Sequence, residues 1–219
     1  IFPRAWVSVL FPTFAAHFGQ RQDQTSDLFA RSLSWLMAML LPVILVVVAL
    51  TPEGFRIWLG DDFAVRSTPV MRLLTTGIFV YCLTYIPFSF LQGIGRPDIP
   101  ARIHLVEFPL FVALALYMIR QFGISGAAIA WVIRAIMEFI VMISFSKRFA
   151  PVIGRYAARW LICGTAALAM IAGIICIPPL LCRITVTAAA IAGWAALSWF
   201  YLFDKEDRHE LLQLALKSL

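Results

Sequence analysis

The sequence predicts an all-α, polytopic helical bundle of the membrane, and three observations carry that prediction. Apolar residues make up 62% of the 219 residues and charged residues 14%, against roughly 45–50% and about 25% in soluble domains. The apolar residues fall in continuous runs of about 20, most of them free of charge, which at ~1.5 Å rise per residue is the length that crosses a hydrocarbon layer of ~30 Å. Lysine and arginine also alternate in density between successive connectors. A membrane β-barrel would instead alternate apolar and polar residues every second position.

Taken in order, residues 1–18, "IFPRAWVSVLFPTFAAHF", read as the end of a longer apolar segment, a truncated first helix. They lack the basic start and cleavage site of a signal peptide. Six complete spans are expected after it. Ser32–Leu50 carries no charge and contains Pro42, and Leu73–Gly95 carries none and contains Pro87. A third span covers 103–120, with His104 and Glu107 near one end. A fourth covers 122–146 and is broken by Arg134 and Glu138. The last two are the uncharged Trp160–Cys182 and Ile184–Phe203. The connector "TPEGFRIWLGDDFAVRST", 51–68, is expected to form a short interfacial piece, with Trp58 at an aromatic-belt position. The division that follows is 1–146 as a core lobe, 147–203 as two additional spans and 204–219 as an amphipathic cytoplasmic tail.

Alternate connectors differ sharply in charge. Arg21, Arg31, Arg96, Arg102, Lys147, Arg148, Arg155, Arg159, Lys205, Arg208 and Lys217 lie on one side, against Arg56, Arg66, Arg120 and Arg183 on the other. The richer side is cytoplasmic by the positive-inside rule, which puts the C-terminus in the cytoplasm. Dispersal of the basic residues in short connectors excludes a nucleic-acid stripe, despite a net charge of +6. Cys82, Cys163, Cys176 and Cys182 lie in or beside apolar runs without C-x-x-C spacing. They read as small hydrophobes, with a Cys176–Cys182 link as the alternative.

Gly123–Ala127, Ala169–Gly173 and Ala188–Ala192–Ala196 place small residues at four-residue spacing, the pattern that lets membrane helices approach closely. Pro42 and Pro87 each remove a backbone donor and are expected to kink their helices, either to line a cavity or to improve packing. Arg134 stands ten residues from Ile124, about 15 Å along its helix and near the bilayer midplane. A charge there costs roughly 2.5–3.5 kcal/mol on insertion scales. Glu138, at i+4, shares its face. Two readings stand: a self-neutralising structural pair, or a pair facing a hydrated cavity. In the second, Arg134 attracts an anion through its planar fork and Glu138 responds to protons or cations. Arg4 and Arg72 are weaker cavity candidates, and His104 and Glu107 are interface or gate residues. The sequence shows no nucleotide loop, zinc motif, catalytic triad or cofactor site.

The order of the pieces carries a resemblance. "VLFPTFAAHFGQRQDQ" is followed by "LPVILVVVALTPEGFRIWLGDDF", "FLQGIGRPDIPAR" and "QFGISGAAIAWVI". The set resembles the C-terminal half of polysaccharide-biosynthesis (O-antigen) flippases, within the multidrug/oligosaccharidyl-lipid/polysaccharide exporter superfamily. The matching positions are Pro12, Pro42, Trp58-Leu59-Gly60 with Phe63, an inner hairpin of Gln92 with Gly95-Arg96, and Gly123 with Gly126-Ala127-Ala128. The resemblance implies the second lobe of a two-lobed transporter in the bacterial inner membrane, not an enzyme. It also implies an undecaprenyl-diphosphate-linked oligosaccharide as substrate, with membrane lipids and the polysaccharide polymerase machinery as partners. The alternatives are a cation-coupled drug exporter, a peptidoglycan-precursor flippase, or a membrane scaffold that transports nothing.

Overall fold

A computed structural model describes residues 22–203 except Val152 and Pro178. Residues 1–21, where the sequence predicts a truncated first helix with Arg4 and Pro12, and the tail 204–219 lie outside the described residues. Among the described residues the chain is helical and has no strand. The helices are α1 (Gln22–Leu59), α2 (Asp61–Gly93), α3 (Asp98–Phe122), α4 (Ile124–Phe149), α5 (Ile153–Ile175) and α6 (Leu180–Leu197). A π-helical turn, Ser198–Leu202, continues α6, and Phe203 N donates to Ser198 O at 3.1 Å to close it. All six helices are long and apolar enough to cross a membrane.

Helix α2 is the axis of the bundle. It packs along α1 on one side and α4 on the other. Helix α3 hangs mainly on α4, and α5 and α6 lie against α1. The buried stripe of α1, Phe29, Leu33, Leu36, Met37, Leu41, Leu45 and Val48, recurs at helical spacing. It meets Phe79, Leu83, Ile86 and Phe90 of α2 in one core. Phe29 and Phe90 meet edge to face at 5.3 Å, the arrangement that ring quadrupoles favour. On the α5 side, Trp160 Nε1 donates to Ser34 Oγ at 3.2 Å, which satisfies two polar groups inside an apolar interface.

The connector 51–68 departs from expectation. It forms no separate interfacial piece. α1 continues to Leu59, α2 begins at Asp61, and the reversal is concentrated at Gly60, whose φ of 86° favours a residue without a Cβ. Phe55 and Phe63 pack edge to face across the hairpin at 5.4 Å, while Ile57 and Trp58 beside them stay exposed. α1 has 38 residues, about 57 Å by its rise, and so overshoots the hydrocarbon layer. α1 runs through Pro42 and Pro52, and α2 through Pro69 and Pro87.

The inner hairpin shows what its glycines do. Gly95 N donates to Gln92 O at 3.0 Å and Arg96 N to Leu91 O at 2.9 Å, with Gly95 at φ 78°. This is a Schellman stop, in which the left-handed residue lets its own amide and the next one cap carbonyls of the last turn. Arg96 then donates from Nε to Asp98 Oδ1 at 3.0 Å and lies over the Phe149 ring at the end of α4. The hydrogen bond to Asp98 raises the Arg96 guanidinium above its ordinary range, so this connector charge is permanent. Gln92 contributes its carbonyl.

The small-residue rows are corrected in part. Ala169, Gly173, Ala188, Ala192 and Ala196 are exposed in this chain. The close approach is made instead by Gly126, where a Cβ would collide with the Met118 carbonyl of α3, and by Gly77, against the Trp131 ring. Gly123, with φ 60°, makes the turn between α3 and α4. The cysteines are unbonded: Cys82 and Cys163 are buried, and Cys176 and Cys182 are exposed.

Candidate functional site

Close packing at Gly126 brings α3 and α4 together as antiparallel neighbours, and the charged residues of both meet across the seam. Arg134 Nε lies 3.0 Å from Glu107 Oε1, and Arg134 Nη2 lies 3.3 Å from Glu138 Oε2. His104 Nδ1 lies 3.3 Å from Glu107 Oε2 and 4.0 Å from Glu138 Oε1. The expected i,i+4 pair is therefore present, but as half of a four-membered cluster. Glu107 Oε1 is buried and accepts no aligned hydrogen bond, so its contact with Arg134 is ionic rather than a directed bond.

Glu138 is the deepest member, with its side chain 3% exposed, while Arg134 is 25% exposed and His104 more open. Rings wall the cluster. Arg134 lies over Phe111 at 5.4 Å and His104 beside Phe88 at 6.2 Å. With a neutral imidazole, one guanidinium faces two carboxylates and the cluster carries a net −1; a protonated His104 makes it neutral. The three groups His104, Glu107 and Glu138 bring ligand atoms within 4.8 Å of one another. Arg134 already engages both carboxylates, which weighs against a dedicated cation cage among the described residues.

Beside the cluster runs a groove of about 350 Å³ between α3 and α4. Ile103, Val106, Leu110 and Leu114 form one wall, Met137, Val141 and Phe145 the other, and Arg102 stands at one end. The charged cluster is thus open on one flank to an oily channel. Its shape and polarity suit an amphiphile with an anionic group and an apolar chain.

The other candidates lie elsewhere. Arg72 is remote from this groove. Its Nε donates to Val48 O at 3.1 Å and its Nη1 to Ile175 O at 3.4 Å, on α1 and at the end of α5. Pro42 and Pro87 lie inside α1 and α2, and neither lines the groove. Gln92, Gly95 and Arg96 shape the hairpin that leads into α3. Glu107 and His104 were visible in the sequence only as residues near a helix mouth. Their spacing to Arg134 depends on the antiparallel register of α3 and α4, which the Gly123 turn and Gly126 contact set. A second buried pair, Arg183 with Glu53, joins α6 to α1. In sequence Arg183 reads as a connector residue, whereas it lies buried within the first turn of α6.

Against this geometry, the comparisons with known proteins point one way. The chain is 33% identical over 112 residues to a Shigella flexneri protein named for O-antigen transport, covering 51% of this chain and 27% of that protein. It is 23% identical over 158 residues to a Haloferax volcanii protein named for low-salt glycan biosynthesis as a flippase, covering 72% and 33%. A Methanocaldococcus jannaschii membrane protein, whose name assigns no role, is 30% identical over 82 residues, covering 37% and 16%. Each match covers a third or less of the relative's length. No family model and no solved structure matches. The molecule is a multi-pass membrane protein, similar in sequence to one protein named for O-antigen transport and one named as a glycan-biosynthesis flippase.

Proposed function

We propose that this chain is part of a flippase that moves a lipid-linked oligosaccharide across the cytoplasmic membrane, with residues 1–146 in its second lobe and 147–203 adding two spans. The observation that carries the proposal is the half-buried Arg134 cluster opening onto the α3–α4 groove. The names of the two glycan-related relatives support it. The physical task is to take a charged, sugared headgroup through hydrocarbon while its apolar chain stays in oil. A guanidinium held near mid-depth lowers that barrier by offering phosphate oxygens a planar fork of donors.

Arg134 is not free to do this at rest, because two carboxylates hold it. A proton taken up by Glu107 or Glu138 removes one counter-charge and turns Arg134 toward an incoming phosphate. Proton uptake and anion binding are thereby linked through one residue. The linkage follows from Glu107 joining the expected pair. The substrate implied by the resemblance, an oligosaccharide on undecaprenyl diphosphate, fits both halves of the site: the diphosphate at Arg134, the polyprenyl chain along Val106, Leu110 and Leu114. The positive-inside count supports a cytoplasmic C-terminus, the resemblance implies the bacterial inner membrane, and polymerase machinery would receive the product.

The second carboxylate also suits a cation-coupled drug exporter, which needs acidic groups at mid-depth; glycan names among the relatives favour the flippase. The test is Arg134→Ala, and separately Arg134→Lys, in the full-length protein, with surface polysaccharide and lipid-linked intermediates measured in a complemented strain. Arg134→Ala is expected to reduce surface glycan at least about tenfold, the equivalent of ~1.4 kcal/mol, and to accumulate the lipid-linked unit at unchanged membrane level of the protein. Arg134→Lys retains charge without the fork and should fall between. Normal glycan display by a stably inserted Arg134→Ala protein would overturn the proposal and favour a scaffold.

A further inference from the structure

In an α-helix the carbonyl of residue i accepts the N–H of residue i+4. Proline has no N–H, so Pro42 frees the carbonyl of Ala38 and Pro52 frees that of Val48. Both carbonyls have new donors, each from a different helix. Trp194 Nε1 of α6 donates to Ala38 O at 3.2 Å, and Arg72 Nε of α2 donates to Val48 O at 3.1 Å. Trp194 is almost fully buried, and the Arg183–Glu53 pair joins the same two helices one stage along. Arg72 also donates to Ile175 O, at the last residue of α5, where a cation complements the negative end of the helix dipole.

We propose that the two prolines of α1 are latch points, and that Trp194 and Arg72 are the positioning residues that close them. The prolines divide α1 into three segments. The borrowed donors hold those pieces in line and, in doing so, fasten the last two spans to the core. Unsatisfied carbonyls are disfavoured in hydrocarbon, so a freed carbonyl is a strong acceptor there and a neighbouring helix supplies what the chain lacks. On this reading α5 and α6 form a brace that sets the straightness of α1, and opening either latch lets α1 bend at the corresponding proline. The device goes beyond the transport proposal and holds whatever the protein carries.

A double-mutant cycle in the full-length protein in detergent tests it. Trp194→Phe keeps a large ring and removes the donor. In the parental protein it should lower the melting temperature by a few degrees and speed hydrogen exchange across α1 residues 38–46. Pro42→Ala restores an N–H for the Ala38 carbonyl. In that background Trp194→Phe should have at most a third of its parental effect on both readouts. An equal loss in both backgrounds would show that Trp194 acts by packing alone and would overturn the latch, as would no loss in either. Arg72→Met with Pro52→Ala forms a second, independent cycle. Rescue there should be partial, because Arg72 also caps α5, and absence of any rescue would count against the proposal. If Trp194→Phe is lost from the membrane, recovery of its level by Pro42→Ala supports the latch equally, and failure to recover counts against it.

Discussion

Arg134 holds its place by being over-matched: one guanidinium, two carboxylates and a cation–π face on Phe111. Removing a single partner of a buried ion pair typically destabilises by about 3–5 kcal/mol, because the remaining charge stays in a poor medium. Glu138→Gln is therefore expected to be milder than Glu138→Leu, since an amide can still accept from Arg134. Thermal melting of the purified variants, compared with glycan export at matched protein level, separates loss of fold from loss of function. Glu107→Gln should leave insertion intact and lower the melting temperature less than Glu138→Leu, since the amide oxygen can still face Arg134. The i,i+4 pair of Arg134 and Glu138 was legible from spacing alone. The role of Glu107 was not, because a partner on another helix has no fixed distance in sequence.

At the scale of elements, glycine and proline decide the geometry. Gly126 lies against the Met118 carbonyl, and a methyl group there must push two backbones apart. Gly126→Ala is expected to destabilise by about 1–3 kcal/mol, the usual range for overpacking, and to lower the melting temperature; Gly126→Leu should reduce the membrane level of the protein. Gly95→Ala forces a β-carbon into the left-handed region, at roughly 1–2 kcal/mol, and should loosen the 90–98 hairpin toward proteolysis from the side it faces. Helix existence and approximate limits were readable from apolar run length. The continuation of α1 to Leu59 was not, because Pro52 signals a stop unless another helix donates to Val48 O. Small-residue rows misled for a related reason: four-residue spacing marks a possible contact face, and only the neighbouring helix determines which face is used.

For the molecule as a whole, the unequal distribution of lysine and arginine predicts sidedness. Single cysteines at Arg96 and at Trp58, in a protein without other cysteines, should react with a membrane-impermeant thiol reagent from opposite faces. Reaction of both from one side would invert or break the assigned topology. All-helical membrane architecture was legible from composition, since a chain this apolar cannot cover itself with polar surface. The order in which helices neighbour each other was beyond reach, because lipid-facing and helix-facing residues share one chemistry.

Helix α3 leans on α4 and touches little else in the bundle. Along that oily seam, the rivets at Arg134, Glu107, Glu138 and His104 are made of charge. On the proposed function, removing the charge of either carboxylate slackens the joint, and a phosphate that captures the guanidinium slackens it again. The fourth span can thus feel the chemistry of its surroundings as a change in how firmly it grips its neighbour.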